Sequence, residues 1–104
     1  MEKSRLESLK EMLEKDASDS FTRYALGLEL VSDKMLNEAA EEFEKIIISD
    51  PNYHPVYYQL GKVYETLGEV DKARKIFETG IYVAASKSEL HAKEELESAL
   101  NELF

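Results

Sequence analysis

The chain has 104 residues, with 13 Lys and Arg against 22 Asp and Glu, and therefore carries a net charge of −9. This charge argues against non-specific binding to nucleic acid or anionic lipid, and the absence of cysteine excludes disulfides, thiolate catalysis and cysteine-based zinc sites. With 43% hydrophobic residues but only 4 Gly and 2 Pro, the composition favours one helical domain over an all-β fold.

The N-terminal segment predicts neither export nor membrane insertion. Residues 1–16 alternate charged and apolar side chains and lack the uncharged core of a secretory signal. No later stretch approaches the roughly 20 apolar residues that a membrane-spanning helix needs. Together with the absence of cysteine, these features predict a cytoplasmic protein.

Apolar residues recur at helical spacing in six segments. We expect helices near residues 3–15, 19–32, 36–49, 54–67, 70–85 and 88–103. Pro51 cannot continue a helix, and Gly68 suits the left-handed conformation that ends one. Residues 45–49 are rich in β-branched side chains, but their helical phase with Ala39 and Phe43 favours a helix over a strand.

The sequence resembles itself when it is aligned with a shifted copy. The shift that places Tyr24 on Tyr58 makes many small and apolar positions coincide. The same shift pairs Leu26 with Leu60, Gly27 with Gly61, Ala39 with Ala73 and Phe43 with Phe77. These pairs predict two copies of one helical hairpin. In each copy we expect the glycine to let the helices approach closely and the phenylalanine to fill the space between units.

The outer helices continue the pattern as half-units. We therefore divide the chain into an N-terminal half-unit at residues 1–19, repeats at residues 20–53 and 54–87, and a capping helix at residues 88–104. The last helix aligns only when the shift is lengthened by two, so that Leu60 meets Leu96, which predicts two extra residues in the connection at 84–88. Such hairpins need stacked neighbours to bury their apolar faces, as in a solenoid.

The pattern resembles the tetratricopeptide repeat family, whose 34-residue unit carries an aromatic residue, Leu-Gly and Tyr, followed by Ala, Phe and Pro. The matching residues are Leu26, Gly27, Ala39, Phe43 and Pro51 in the first unit, and Tyr57, Leu60, Gly61, Tyr64, Gly68, Ala73 and Phe77 in the second. The resemblance implies an all-α fold, a right-handed superhelical array of antiparallel helix hairpins with about six helices. Arg23 departs from the family by replacing an aromatic residue, and Gly80 by replacing an alanine. Lys34 replaces the turn glycine, so we expect the first hairpin to turn differently or at a small cost.

The resemblance also implies a concave groove that binds an extended peptide or a helix of a partner protein. The groove positions would be Phe21, Tyr24, Leu28, Val31, Tyr58, Lys62, Glu65, Glu94, Ser98 and Asn101. Tyr24 and Tyr58 would lie side by side, or would instead pack against the flanking half-units. The groove is aromatic and apolar at one end and acidic at the other, which favours an apolar-anchored ligand with basic character. Only Lys62 is basic at the positions where some family members clamp a C-terminal carboxylate, so that ligand is disfavoured.

The sequence contains only weak signals for catalysis or metal binding. His54 and His91 have no serine or cysteine nucleophile pattern around them, and Gly61 and Gly68 do not form a phosphate-binding loop. His91 and Glu95 share a helix face but would supply only two metal ligands. We therefore expect no enzyme activity, no cofactor and no metal.

The sequence thus predicts a non-catalytic adaptor that binds a protein or peptide and does not bind nucleic acid or membranes. The alternative is a homodimer that buries the groove or the C-terminal Leu103-Phe104. A further alternative is that the chain is a piece of a longer repeat array.

Overall fold

Six α-helices account for most of residues 3–103, the part of the chain that this computed structural model describes. They are α1 (Arg5–Lys15), α2 (Ser20–Ser32), α3 (Leu36–Ser49), α4 (Pro55–Thr66), α5 (Val70–Ser86) and α6 (Leu90–Glu102). Residues 3–103 contain no strand, and residues 45–49 are helical. The all-helical architecture expected from the spacing is confirmed.

The starts of three helices follow from the sequence. Ser4 Oγ accepts a hydrogen bond from the Glu7 amide at the start of α1, over 3.1 Å. Asp19 caps α2 by accepting from both the amide and the hydroxyl of Thr22, and these bonds lower the pKa of the Asp19 carboxyl. Pro55 occupies the first turn of α4, where its missing N–H is not needed.

Three helices end in the same way. Lys34, Gly68 and Ser88 have φ of 62°, 79° and 58°. In each case the amide of the following residue donates to the carbonyl oxygen five residues earlier, over 2.8 Å. The first hairpin therefore turns as the second does, although Lys34 replaces the glycine.

The connection after α5 corrects the expectation of two extra residues at 84–88. The helix itself is longer, since it continues to Ser86, whereas the equivalent helix α3 ends at Ser49. The connection that follows is residues 87–89, shorter than residues 50–54 between α3 and α4. Ala85 occupies the position in the second repeat that Pro51 occupies in the first, so no proline stops the helix there.

Helices that are adjacent in sequence pack together, and α2, α4 and α6 also lie side by side. The largest fully buried side chains are those of Tyr57, Phe43, Phe77, Leu30, Ile46, Leu60, Leu96 and Val56. No helix within residues 3–103 is long and apolar enough to cross a membrane.

Within each hairpin a phenylalanine ring lies against a glycine. A Cβ added to Gly27 would lie 2.7 Å from Cδ1 and Cζ of Phe43, and one added to Gly61 would lie 2.6 Å from the same atoms of Phe77. The close approach expected at both glycines is confirmed. Each ring also lies near the tyrosine of its own hairpin, Tyr24 for Phe43 and Tyr58 for Phe77.

Gly80 occupies a crowded junction of three helices. A Cβ added there would lie 2.5 Å from Tyr57 Cβ of α4 and 3.1 Å from Leu96 Cδ1 of α6. The glycine on α5 is therefore required by close packing, which explains its departure from the usual alanine.

Candidate functional site

Two cavities open where α2, α4 and α6 lie side by side, a surface that we call the α2–α4–α6 face. The first cavity has a volume of about 230 Å³ and is lined by Tyr24, His54, Pro55, Tyr58, Gln59, Ala92, Glu95 and Leu96. The second has a volume of about 310 Å³ and is lined by Tyr58, His91, Glu94, Glu95, Ser98, Ala99 and Glu102. We call them the tyrosine cavity and the carboxylate cavity. They adjoin each other, since Tyr58 and Glu95 line both.

The two tyrosines are held by equivalent contacts from the second helix of each hairpin. The Tyr24 ring lies 5.9 Å from the Phe43 ring and 5.6 Å from the Tyr53 ring, and the Tyr58 ring lies 6.5 Å from the Phe77 ring. Burial raises the pKa of Tyr24, and its phenolic hydroxyl can both donate and accept a hydrogen bond. Both rings are half-buried and keep part of their surface open to the cavity.

His54 lines the tyrosine cavity, but one of its ring nitrogens is enclosed by the protein. Its Nδ1 is buried and has no hydrogen-bond partner within residues 3–103. Buried polar atoms are normally paired, so this nitrogen is an exception within the described residues.

The carboxylate cavity owes its charge to α6. Glu94, Glu95 and Glu102 all line the cavity, and Glu95 and Glu102 are seven residues apart, a spacing that places them on the same face of the helix. Glu95 lies 3.5 Å from His91, whereas neither Glu94 nor Glu102 has an ion-pair partner in the described part of the chain. Three carboxylates in one cavity create a negative potential that favours a cation.

Lys62 lies near this cavity but is already paired. Its ammonium group is 2.9 Å from Glu65, and the hydrogen bond to Glu65 raises the pKa of Lys62. Glu102 and Tyr58 also contribute to that shift, which places Lys62 within electrostatic reach of the cavity.

The structure places the ten predicted groove residues in different settings. Tyr24, Tyr58, Glu94 and Ser98 line the cavities. Among the others, Phe21 and Leu28 on α2 have 72% and 37% of their surface exposed and line neither cavity. Val31 is half-buried against the core, Lys62 pairs with Glu65, and Asn101 is exposed.

Sequence reasoning missed several lining residues. His54, Pro55 and Gln59 line the tyrosine cavity and are not among the predicted groove residues. Glu95 and Glu102 follow His91 and Ser98 by four residues, so helical phase could have identified them.

The arrangement of side chains in the carboxylate cavity does not suit nucleophilic catalysis. Ser98 follows His91 by seven residues, which separates them by about 10 Å along a helix. A nucleophile and its base must lie within about 3 Å. Within residues 3–103, no group of three or more His, Asp or Glu side chains is placed to hold a metal ion.

Self-association through the C-terminus would involve two apolar residues, of which the structure describes one. Leu103 is half-buried and packs against the core. Phe104, the other residue of the expected apolar patch, lies outside the described residues.

Comparison with known proteins adds to this description. A family model described as tetratricopeptide repeat matches residues 30–96. The TPR repeat-containing protein PA0015 of Pseudomonas aeruginosa is 29% identical over 98 residues, which are 94% of this chain and 93% of that protein.

Solved structures share the fold. The solution structure of a tetratricopeptide repeat domain protein from Salinibacter ruber is 36% identical, with a TM-score of 0.80 over 85% of this chain and 89% of that one. PcrH, solved in complex with the chaperone binding region of PopD, has a TM-score of 0.88 over 94% of this chain and 74% of its own. At 16% identity, the likeness to PcrH concerns the fold alone.

Proposed function

This chain belongs to the tetratricopeptide repeat family, and we propose that its α2–α4–α6 face binds a segment of a partner protein, as an extended peptide or as a helix, without catalysing a reaction. The observation that carries the proposal is the tyrosine cavity. Tyr24 and Tyr58 come from separate repeats yet line one opening with part of each ring exposed. Tyrosine combines a large contact area with a polar tip and loses little entropy on binding, which suits a recognition surface.

The structure of PcrH supports this proposal by analogy. It shows a protein of the same fold in complex with the chaperone binding region of PopD. The present chain shares this fold over 94% of its length.

We propose further that the chain acts as one functional unit in the cytoplasm. We assign the full repeats to residues 20–53 and 54–87 and the flanking half-units to residues 1–19 and 88–104. The net charge of −9 opposes nucleic acid and anionic lipid as partners.

Selection of displayed random peptides against the protein tests the proposal. The enriched peptides are synthesised, and their affinity is measured by fluorescence anisotropy. We expect the Tyr24→Ala/Tyr58→Ala double variant to bind more than about 10-fold more weakly, because aromatic anchors dominate such interfaces. Tyr82→Ala is the matched control, since Tyr82 on α5 is 76% exposed and lines neither cavity.

A second measurement does not depend on the stability of the variants. Amide chemical-shift changes of the wild-type protein on peptide addition should concentrate in α2, α4 and α6. Shift changes confined to α3 and α5, or equal affinity of the folded double variant, would reject the proposal.

A further inference from the structure

Charge is distributed unevenly across the α2–α4–α6 face. The side toward α6 carries Glu94, Glu95 and Glu102. On α2, the predicted groove positions Phe21, Tyr24, Leu28 and Val31 are all uncharged. The face therefore changes from apolar to anionic over the width of three helices.

Arg23, Lys62 and Lys93, cations on the three helices of this face, each have an acidic partner. Arg23 on α2 is 2.6 Å from Glu42 of α3, and both side chains are largely buried. Lys62 on α4 is bound by Glu65. Lys62 also feels the charge of Glu102, but its direct partner is Glu65.

The carboxylate cavity combines negative charge with an aromatic wall. Carboxylates form charge-assisted hydrogen bonds with guanidinium and ammonium groups, and the Tyr58 ring adds a surface that attracts cations. Glu94 and Glu102 are eight residues apart, which corresponds to about 12 Å along the helix axis. The carboxylates thus extend far enough to meet more than one basic side chain.

We propose that the ligand of this face is a basic segment, an inference that rests on the proposed function. The segment places an apolar side chain in the tyrosine cavity and a neighbouring Lys or Arg side chain in the carboxylate cavity. The shared wall of Tyr58 and Glu95 puts the two side chains next to each other. The uneven charge then fixes the orientation of the ligand, with its cationic part toward α6.

A second copy of this chain is a poor occupant of the face. Each copy carries a net charge of −9, so like charges repel as two copies approach. A cationic partner segment is attracted by the same field, and this complementarity selects it over a second copy.

The peptide selection described above also tests this inference. We expect the enriched peptides to contain Lys or Arg close to an aromatic or aliphatic residue, above their frequency in the starting library. Enrichment of acidic or uncharged peptides would overturn the inference.

Neutral variants then locate the cation. Glu94→Gln/Glu95→Gln/Glu102→Gln should weaken binding of an enriched basic peptide about 10-fold and reduce its dependence on salt. The control Glu38→Gln/Glu41→Gln/Glu78→Gln changes the net charge equally at exposed positions on α3 and α5 and should leave affinity nearly unchanged. Replacing the basic residue of the peptide with Gln should weaken binding to the wild type but not to the first variant.

The possible failures are distinguishable. If the tyrosine double variant loses binding but the α6 variant does not, the inference is wrong and the proposed function stands. If neither variant loses binding and shift changes lie on α3 and α5, both are wrong.

Discussion

Three helices end at a residue with the same left-handed backbone conformation but a different side chain. These residues are Lys34, Gly68 and Ser88. A positive φ costs glycine nothing sterically, whereas a residue with a Cβ loses about 1 kcal/mol or more. The turns at Lys34 and Ser88 therefore form at a cost that the turn at Gly68 avoids.

Replacing Lys34 with glycine should stabilise the protein. We expect Lys34→Gly to raise the free energy of unfolding by about 0.5–1 kcal/mol, measured by urea denaturation, because the left-handed strain is removed. Ser88→Gly should behave similarly. Lys34→Ala is the control, since it retains the Cβ and should change stability little; equal stabilisation by alanine would contradict the explanation.

Arg23 shows how a departure from the family pattern is accommodated. It occupies the position in the first repeat that Tyr57 occupies in the second, and the two side chains make the same bond. Arg23 donates to the carbonyl oxygen of Ala17 over 2.9 Å, and Tyr57 donates to that of Pro51 over 2.5 Å. Both acceptors lie six residues before the donor. In the first repeat, a guanidinium therefore takes the place of a phenol in the hydrogen bond between the helix and the connection that precedes it.

At the scale of elements, the glycine–phenylalanine contacts set how closely the helices of each hairpin approach. Gly27 faces Phe43 between α2 and α3, and Gly61 faces Phe77 between α4 and α5. Both rings are fully buried, so they have no free space into which to move.

A methyl group at Gly61 should destabilise the second hairpin. We expect Gly61→Ala to lower the free energy of unfolding by about 1–3 kcal/mol, because overpacking against Phe77 exceeds the helix-propensity gain of about 0.5–1 kcal/mol. Phe77→Leu in the same chain should recover part of the loss. A double-mutant cycle by chemical denaturation measures this coupling, and strictly additive effects would refute the contact as its cause.

The helices could be predicted from the sequence because the recurrence between the two repeats falls on buried positions such as Leu60 and Phe77, where packing restricts the side chain. The end of α5 was predicted to within one residue, but the two extra residues were wrongly placed in the connection, since no stop signal at Ala85 ends the helix earlier. The carboxylate cavity was only partly predicted, because Glu102 resembles any solvated glutamate until α4 is placed beside it.

At the scale of the whole molecule, charged side chains replace small ones on the outermost helices. Arg5 in α1 is the repeat equivalent of the buried Ala39, and Glu97 in α6 is the repeat equivalent of Gly61. Arg5 pairs with Glu29 over 3.3 Å, and Glu97 pairs with Lys93 over 3.7 Å. A helix that packed onto α6 as α5 packs onto α4 would have to displace Glu97.

These end faces and the net charge predict a single copy in solution. Sedimentation equilibrium should give a mass near 11.9 kDa at low and at moderate salt, since charged ends and mutual repulsion oppose stacking. A mass of twice this value that does not fall on dilution would instead support the self-association alternative.

The packing of each helix against its sequence neighbours also affects the folding rate of the chain. Consecutive helices are joined by only three to five residues, and each packs on the next. Little loop entropy is lost before a native contact forms, and topologies of such low contact order fold within microseconds to milliseconds. Because each glycine–phenylalanine hairpin is built from contacts close in sequence, we expect folding to be able to start in either one.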